Sequence, residues 1–153
     1  MKKAILFIGL PGSGKTTYIK NKITGFEIVS ADEIKYQHPD YDPFHPEITH
    51  QWSVVEAERF MNDYSDLGMD ICMDSGGVNN SYSLRIINML KSKGYHVELI
   101  HMDTPLDVCL IRNRERGRVV PEQVVLDKSK KIDNCVEKQK AIVDTYTHVK
   151  YQP

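Results

Sequence analysis

No stretch of this 153-residue chain approaches the length of a membrane span, which excludes a transmembrane helix. Metal-binding spacing is missing as well. Cys72, Cys109 and Cys135 form no C-x-x-C pair, and the six histidines (38, 45, 50, 96, 101, 148) show no zinc pattern. Three widely separated cysteines read as buried free thiols in a reducing compartment. Charge of one sign is not in excess: the net charge is −1 and the pI about 6.6. No global basic field therefore advertises nucleic acid, and any polynucleotide contact must come from a local patch. Repeats, linkers and low-complexity tracts do not occur. The remainder is ordinary globular composition, 41% hydrophobic and 27% charged. One domain over 1–153 is expected, with a cytoplasmic location. Met1-Lys-Lys before Ala4–Leu10 resembles the start of a signal peptide. The apolar run is short, however, and a buried first strand accounts for it better.

What the chain does have is Gly9-Leu-Pro-Gly-Ser-Gly-Lys-Thr16, a full match to G-x-x-x-x-G-K-[ST]. It follows the apolar run Ala4–Ile8 and precedes a helix-prone segment, the strand–loop–helix context of a phosphate cradle. Glycines 12 and 14 let the backbone curl with its N–H groups inward, and the helix that begins there adds its positive dipole end. Gly9, Pro11, Gly12, Ser13, Gly14, Lys15, Thr16 and Thr17 are the expected nucleotide-binding stretch. Lys15 supplies a point charge to the β- and γ-phosphates and Thr16 a hydroxyl to Mg²⁺.

Strand and helix signals alternate along the rest. Strands are expected at Phe26–Val29, Asp70–Asp74, Val97–Met102 and about His148–Tyr151. Helices are expected after the loop, from the capping box Ser30-Ala-Asp-Glu33, over Glu47–Leu67, over Ser81–Lys93, from Thr104-Pro105 into Arg112, and from Pro121 to Ile132 or further. Thr104 is the expected cap of its helix, with Pro105 at the first helical position. Trp52, Phe60 and Tyr64 are read as core rather than as a base-stacking platform. The proline-rich segment His38–Pro46 is a loop. The expected fold is α/β, a parallel sheet of about five strands with helices on both faces. Ligands in such sheets sit at the C-terminal strand edge, where Ser30, Asp74 and Asp103 would lie.

Three groups of residues there carry chemistry. Asp32 is placed to take a proton from an acceptor hydroxyl, or merely to favour a helix dipole beside its cap. Asp74 ends an apolar strand, the position of a Mg²⁺-organising aspartate, or of a turn residue before Ser75-Gly-Gly77. Asp103 is assigned a structural role. Arg112, Arg114, Arg116 and Arg118 form either a solvated basic face or an arginine-bearing lid over about 112–121. In the lid, Arg112 and Arg116 share a helix face and close on a γ-phosphate.

Taken together, these residues resemble the phage polynucleotide 5′-hydroxyl kinase family, within the phosphate-loop kinases. The resemblance covers nearly the whole chain but only a kinase domain, without the phosphatase domain that some relatives attach. It rests on the loop Gly9–Thr17, on Asp32-Glu-Ile-Lys35, and most specifically on Arg112-Asn-Arg-Glu-Arg116-Gly-Arg-Val-Val-Pro121. The resemblance implies that Asp32 is the general base, and that Lys15, Arg112 and Arg116 stabilise the transferring phosphoryl group. It implies that Lys35 contacts an acceptor phosphate and that Asp74 supports the metal or the base. Lys35 stands where the family usually has arginine, a point charge in place of a bidentate fork. Ser75-Gly-Gly77 replaces a bulkier polar pair. The expected activity is ATP- and Mg²⁺-dependent phosphorylation of the 5′-hydroxyl of DNA, RNA or a nucleotide. The alternative is a small metabolite or sugar nucleotide as acceptor, as in zeta-toxin-like kinases, and no membrane partner is expected.

Overall fold

The computed structural model describes residues 1–116 and 119–153. Five strands form one parallel sheet: β1 (Lys3–Ile8), β2 (Glu27–Ser30), β3 (Ile71–Asp74), β4 (His96–Asp103) and β5 (Thr145–Lys150). Among the described residues six α-helices connect them: α1 (Lys15–Lys22), α2 (Ala31–Lys35), α3 (His50–Asp66), α4 (Asn80–Ser92), α5 (Leu106–Glu115) and α6 (Glu122–Lys140). The strand order is β2-β3-β1-β4-β5. The connection leaving β1 runs to one side, to β2, while the connection leaving β3 crosses β1 to reach β4 on the other side, which opens a crevice beyond the carboxyl end of β1.

β1 is apolar on both faces because both are covered. Ala4, Leu6 and Ile8 face a large core built with α3, α4 and α6 through Ala57, Met61, Ile86, Leu90 and Val136. Ile5 and Phe7 face a smaller core closed by Tyr18 and Ile19 of α1. Capping follows the sequence at α2, where the Ser30 hydroxyl accepts a hydrogen bond from the Glu33 N–H at 3.3 Å.

Other expectations are corrected. The last strand begins at Thr145 rather than His148, because Thr145 and Tyr146 already pair with Glu98 and Leu99. Thr104 does not cap α5; Pro105 flanks the helix, and the Thr104 hydroxyl is used elsewhere. Trp52 is not core. α3 starts only at His50, after a 3-10 turn over Pro46–Ile48. Its buried stripe is the i,i+4 series Ser53, Ala57, Met61, Ser65, three small residues and a methionine. Trp52 falls beside that stripe and is 39% exposed, edge-on to His38 with ring centroids 4.7 Å apart. Phe60 and Tyr64 do pack against the core.

Candidate active site

The loop Gly9–Gly14 leaves β1 into the crevice and is held from three sides. Gly9 N–H donates to the Gly76 carbonyl at 3.0 Å, which fixes the loop to the turn after β3. Thr104 donates its hydroxyl to the Ser13 carbonyl at 2.8 Å, a buried bond from the end of β4. α5 lies so close that a Cβ at Gly12, where φ is +85°, would stand 2.6 Å from the Cys109 carbonyl oxygen. Gly77 is required for the same reason: φ is +73° and a Cβ would meet the Phe7 carbonyl at 2.6 Å. The close approach requires glycine at 77 alone; a Cβ at Gly76 would meet nothing nearer than 3.6 Å.

Lys15 opens α1 and leans back over the loop, donating to the Gly9 carbonyl at a long 3.4 Å. Loss of water around its ammonium holds its pKa below the ordinary lysine range. Lys128 and Arg116 push the same way, while Asp74 and Asp32 oppose them. Thr16 and Thr17 are exposed on the first turn of α1. Ser30 and Asp74 are paired in register at the ends of β2 and β3, so Asp74 lies beside the start of α2. Its carboxyl is pushed up by burial, and the charges of Asp32 and Glu33 add to this against the pull of Lys15.

Asp32, on the first turn of α2, has a side chain 74% exposed, open to an incoming molecule. Its charge acts on Lys15, Asp74, Lys128 and His50. Lys35 is buried one turn on, with Nζ 3.8 Å from Asp32 Oδ1 and 3.1 Å from His50 Nδ1. Desolvation, then the neighbouring Lys35 charge, hold His50 below its ordinary pKa, so Nδ1 faces the lysine as an acceptor at neutral pH.

The arginines separate. Arg112 donates from Nη1 to the Gly12 carbonyl at 3.3 Å and lies over the Tyr151 ring, 5.4 Å from its centroid. α5 ends at Glu115, so Arg116 is an extended cap residue rather than a partner on one helix face. Its charge still reaches Lys15. Arg114 turns to Glu122 at 2.6 Å. Arg118, with Gly117, lies outside the described residues. Asn113 closes the ends of the intervening segment, donating to Val120 O at 2.6 Å and accepting from Val120 N at 3.0 Å.

Nothing local in the sequence marks Lys128 or His50 for these positions, and Thr104 has the spacing of a helix cap rather than of a loop partner. Lys128 projects from α6 towards the turn after β3, its Nζ 4.0 Å from where a Gly76 Cβ would be. Desolvation lowers its pKa, with Asp32 opposing and Lys35 reinforcing. It is one of several lysines on a helix, with no local signal to single it out.

A five-stranded parallel sheet in this order, with G-x-x-x-x-G-K-[ST] leaving its central strand, defines a phosphate-loop kinase fold. The AAA domain family model matches residues 5–135, and the chain belongs to that family. L-seryl-tRNA(Sec) kinase of Methanococcus maripaludis is 26% identical over 137 residues, 84% of this chain and 52% of that protein. The chain thus spans about half the length of this relative. In the PezAT toxin–antitoxin system of Streptococcus pneumoniae, a chain superposes with a TM-score of 0.83 at 20% identity, over 98% of this chain and 69% of that one. A chain of the AvrRxo1-ORF1:-ORF2 complex with ATP gives a TM-score of 0.77 at 19% identity, over 99% and 55%. No helix of the described residues is long and apolar enough to cross a membrane.

Proposed function

We propose that this chain transfers the γ-phosphate of ATP to the hydroxyl of an acceptor that itself carries phosphate, most simply the 5′-hydroxyl of a nucleotide or polynucleotide. The observation that carries this is the company kept by Asp32. An exposed carboxylate stands within electrostatic reach of the loop lysine and of two further cations, Lys35 and Lys128. The loop, Lys15, Arg112 and Arg116 suffice for a triphosphate. Lys35 and Lys128, which share electrostatics with Asp32, fit an additional anion.

In this mechanism Asp32 accepts the proton of the acceptor hydroxyl as its oxygen attacks the γ-phosphorus. The bond to the β–γ bridging oxygen breaks and ADP leaves. Lys15, Arg112 and Arg116 neutralise the charge spread over the transferring group. The Thr16 hydroxyl and the Asp74 carboxylate, hard oxygen donors of the kind Mg²⁺ takes, would hold the ion, which would supply positive charge to the bound phosphates. The relative named for an L-seryl-tRNA substrate supports an RNA-linked acceptor, and the fold neighbour solved with ATP supports the donor.

Radiolabelled ATP offered with a panel of 5′-hydroxyl oligonucleotides, mononucleoside 3′-phosphates and sugar nucleotides tests the assignment. Label is expected on a 5′-hydroxyl, and Asp32→Asn is expected to slow transfer by about 10²–10⁴ while leaving ATP binding intact. Label on a sugar nucleotide alone would move the acceptor to small metabolites. An Asp32→Asn protein of undiminished activity would remove the base.

A further inference from the structure

A groove of about 690 Å³ runs between the start of α4 and one face of α6, outside the phosphate loop. Its lining includes Asn79, Lys128, Lys130, Lys131, Asn134 and Lys138. One carboxylate, Asp127, is on the lining, and it accepts a hydrogen bond from Gln123 Nε2 at 2.9 Å. Lys128, Lys131 and Lys138 fall on a single helical face, and Lys128 to Lys138 spans about 15 Å at the helical rise. The groove has a rigid floor: Gln139 donates to the Gly77 carbonyl at 2.7 Å and Cys135 to Val78 O at 3.4 Å, which clamps α6 to the turn that carries Gly76 and Gly77. One end is therefore fixed against the site. Lys128 belongs to both, lining the groove and sharing electrostatics with Asp32 and Lys35.

We infer that this groove binds the sugar–phosphate backbone of a single-stranded polynucleotide acceptor, leading its downstream nucleotides along α6 while the 5′ end lies at Asp32. The inference rests on the proposed 5′-hydroxyl kinase activity and specifies its substrate as a strand rather than a single nucleotide. A row of lysines along one helical face tracks phosphates without reading bases. It also supplies the local patch that a chain of net charge −1 needs in order to hold a polyanion.

The paired variant Lys131→Glu/Lys138→Glu, which leaves Lys128 in place, tests this. Two measurements are made: phosphorylation of a mononucleoside 3′-phosphate against a 5′-hydroxyl hexanucleotide, and fluorescence anisotropy of the labelled hexanucleotide without ATP. KM for the hexanucleotide and its dissociation constant are expected to rise at least about tenfold, with KM for the mononucleoside acceptor unchanged. The salt dependence of log K is expected to flatten by about 0.7 for each strand phosphate that no longer meets a lysine. Lys131→Arg/Lys138→Arg should restore both. An unchanged hexanucleotide affinity, or an equal loss on the two acceptors, overturns the groove assignment and leaves the kinase standing. Strand binding that follows these lysines without phosphorylation of any 5′-hydroxyl would instead overturn the acceptor and keep the groove.

Discussion

At the scale of single residues, the site is a contest between burial and charge. Lys15 and Lys128 are held below their ordinary pKa and Asp74 above its own, in each case chiefly by burial. Such opposed displacements side by side mark a place that gains from a bound charged ligand. His50 shows the pH consequence. Its folded pKa lies below the ordinary value of about 6.5, so between the two the unfolded chain binds more protons, and stability falls as pH falls through that range. His101 is lowered too, by burial, and contributes the same trend independently. His50→Gln keeps an acceptor for Lys35 and removes one of these titrations. Its melting temperature should therefore drop less than the wild type's between pH 7.5 and 5.5, measured by circular dichroism. Equal drops would mean that His50 is not held neutral by its surroundings. Lys15 and Asp32 were legible in the sequence because motif spacing and strand ends place them. His50 and Lys128 were not, since what puts them there is the packing of α3 and α6, remote in sequence from the loop.

At the scale of elements, the phosphate loop is shaped less by its own glycines than by the neighbours that clasp it. The Thr104–Ser13 bond joins the end of β4 to the loop across 91 residues. Thr104→Val keeps the shape and deletes the donor, leaving a buried carbonyl unpaired at a cost of about 1–3 kcal/mol. Chemical denaturation should register that loss, and KM for ATP should rise as the loop loosens. A variant with native stability and native KM would show that the bond does not hold the loop. Thr104 also shows why boundaries were harder to read than elements. A threonine before proline has the spacing of a cap, and only the tertiary structure offers it a better acceptor. Hydrophobic period and glycine punctuation gave the order of strands and helices; the face that α3 buries was missed. Small residues 53, 57 and 65, with Met61, set it, and a search for large apolar side chains passes over most of them.

At the scale of the whole molecule, β1 carries two cores back to back, and two of the three cysteines sample them. Cys72 belongs to the α1 side, Cys135 to the other, and Cys109 sits beneath the loop. All three are free and buried. Burial pushes the Cys72 thiol up to about 12 and raises Cys109 and Cys135 as well. A thiolate-specific reagent at pH 8 should thus modify none of them in the native protein, and all three together at the rate of global unfolding. Modification of Cys109 ahead of the others would show that α5 lifts from the loop by itself. A different use follows from the one tryptophan in the chain. The Trp52 indole is partly open to water, packed edge-on to the His38 imidazole, two positions from His50. Its emission is consequently an unlabelled optical gauge located at the start of α3.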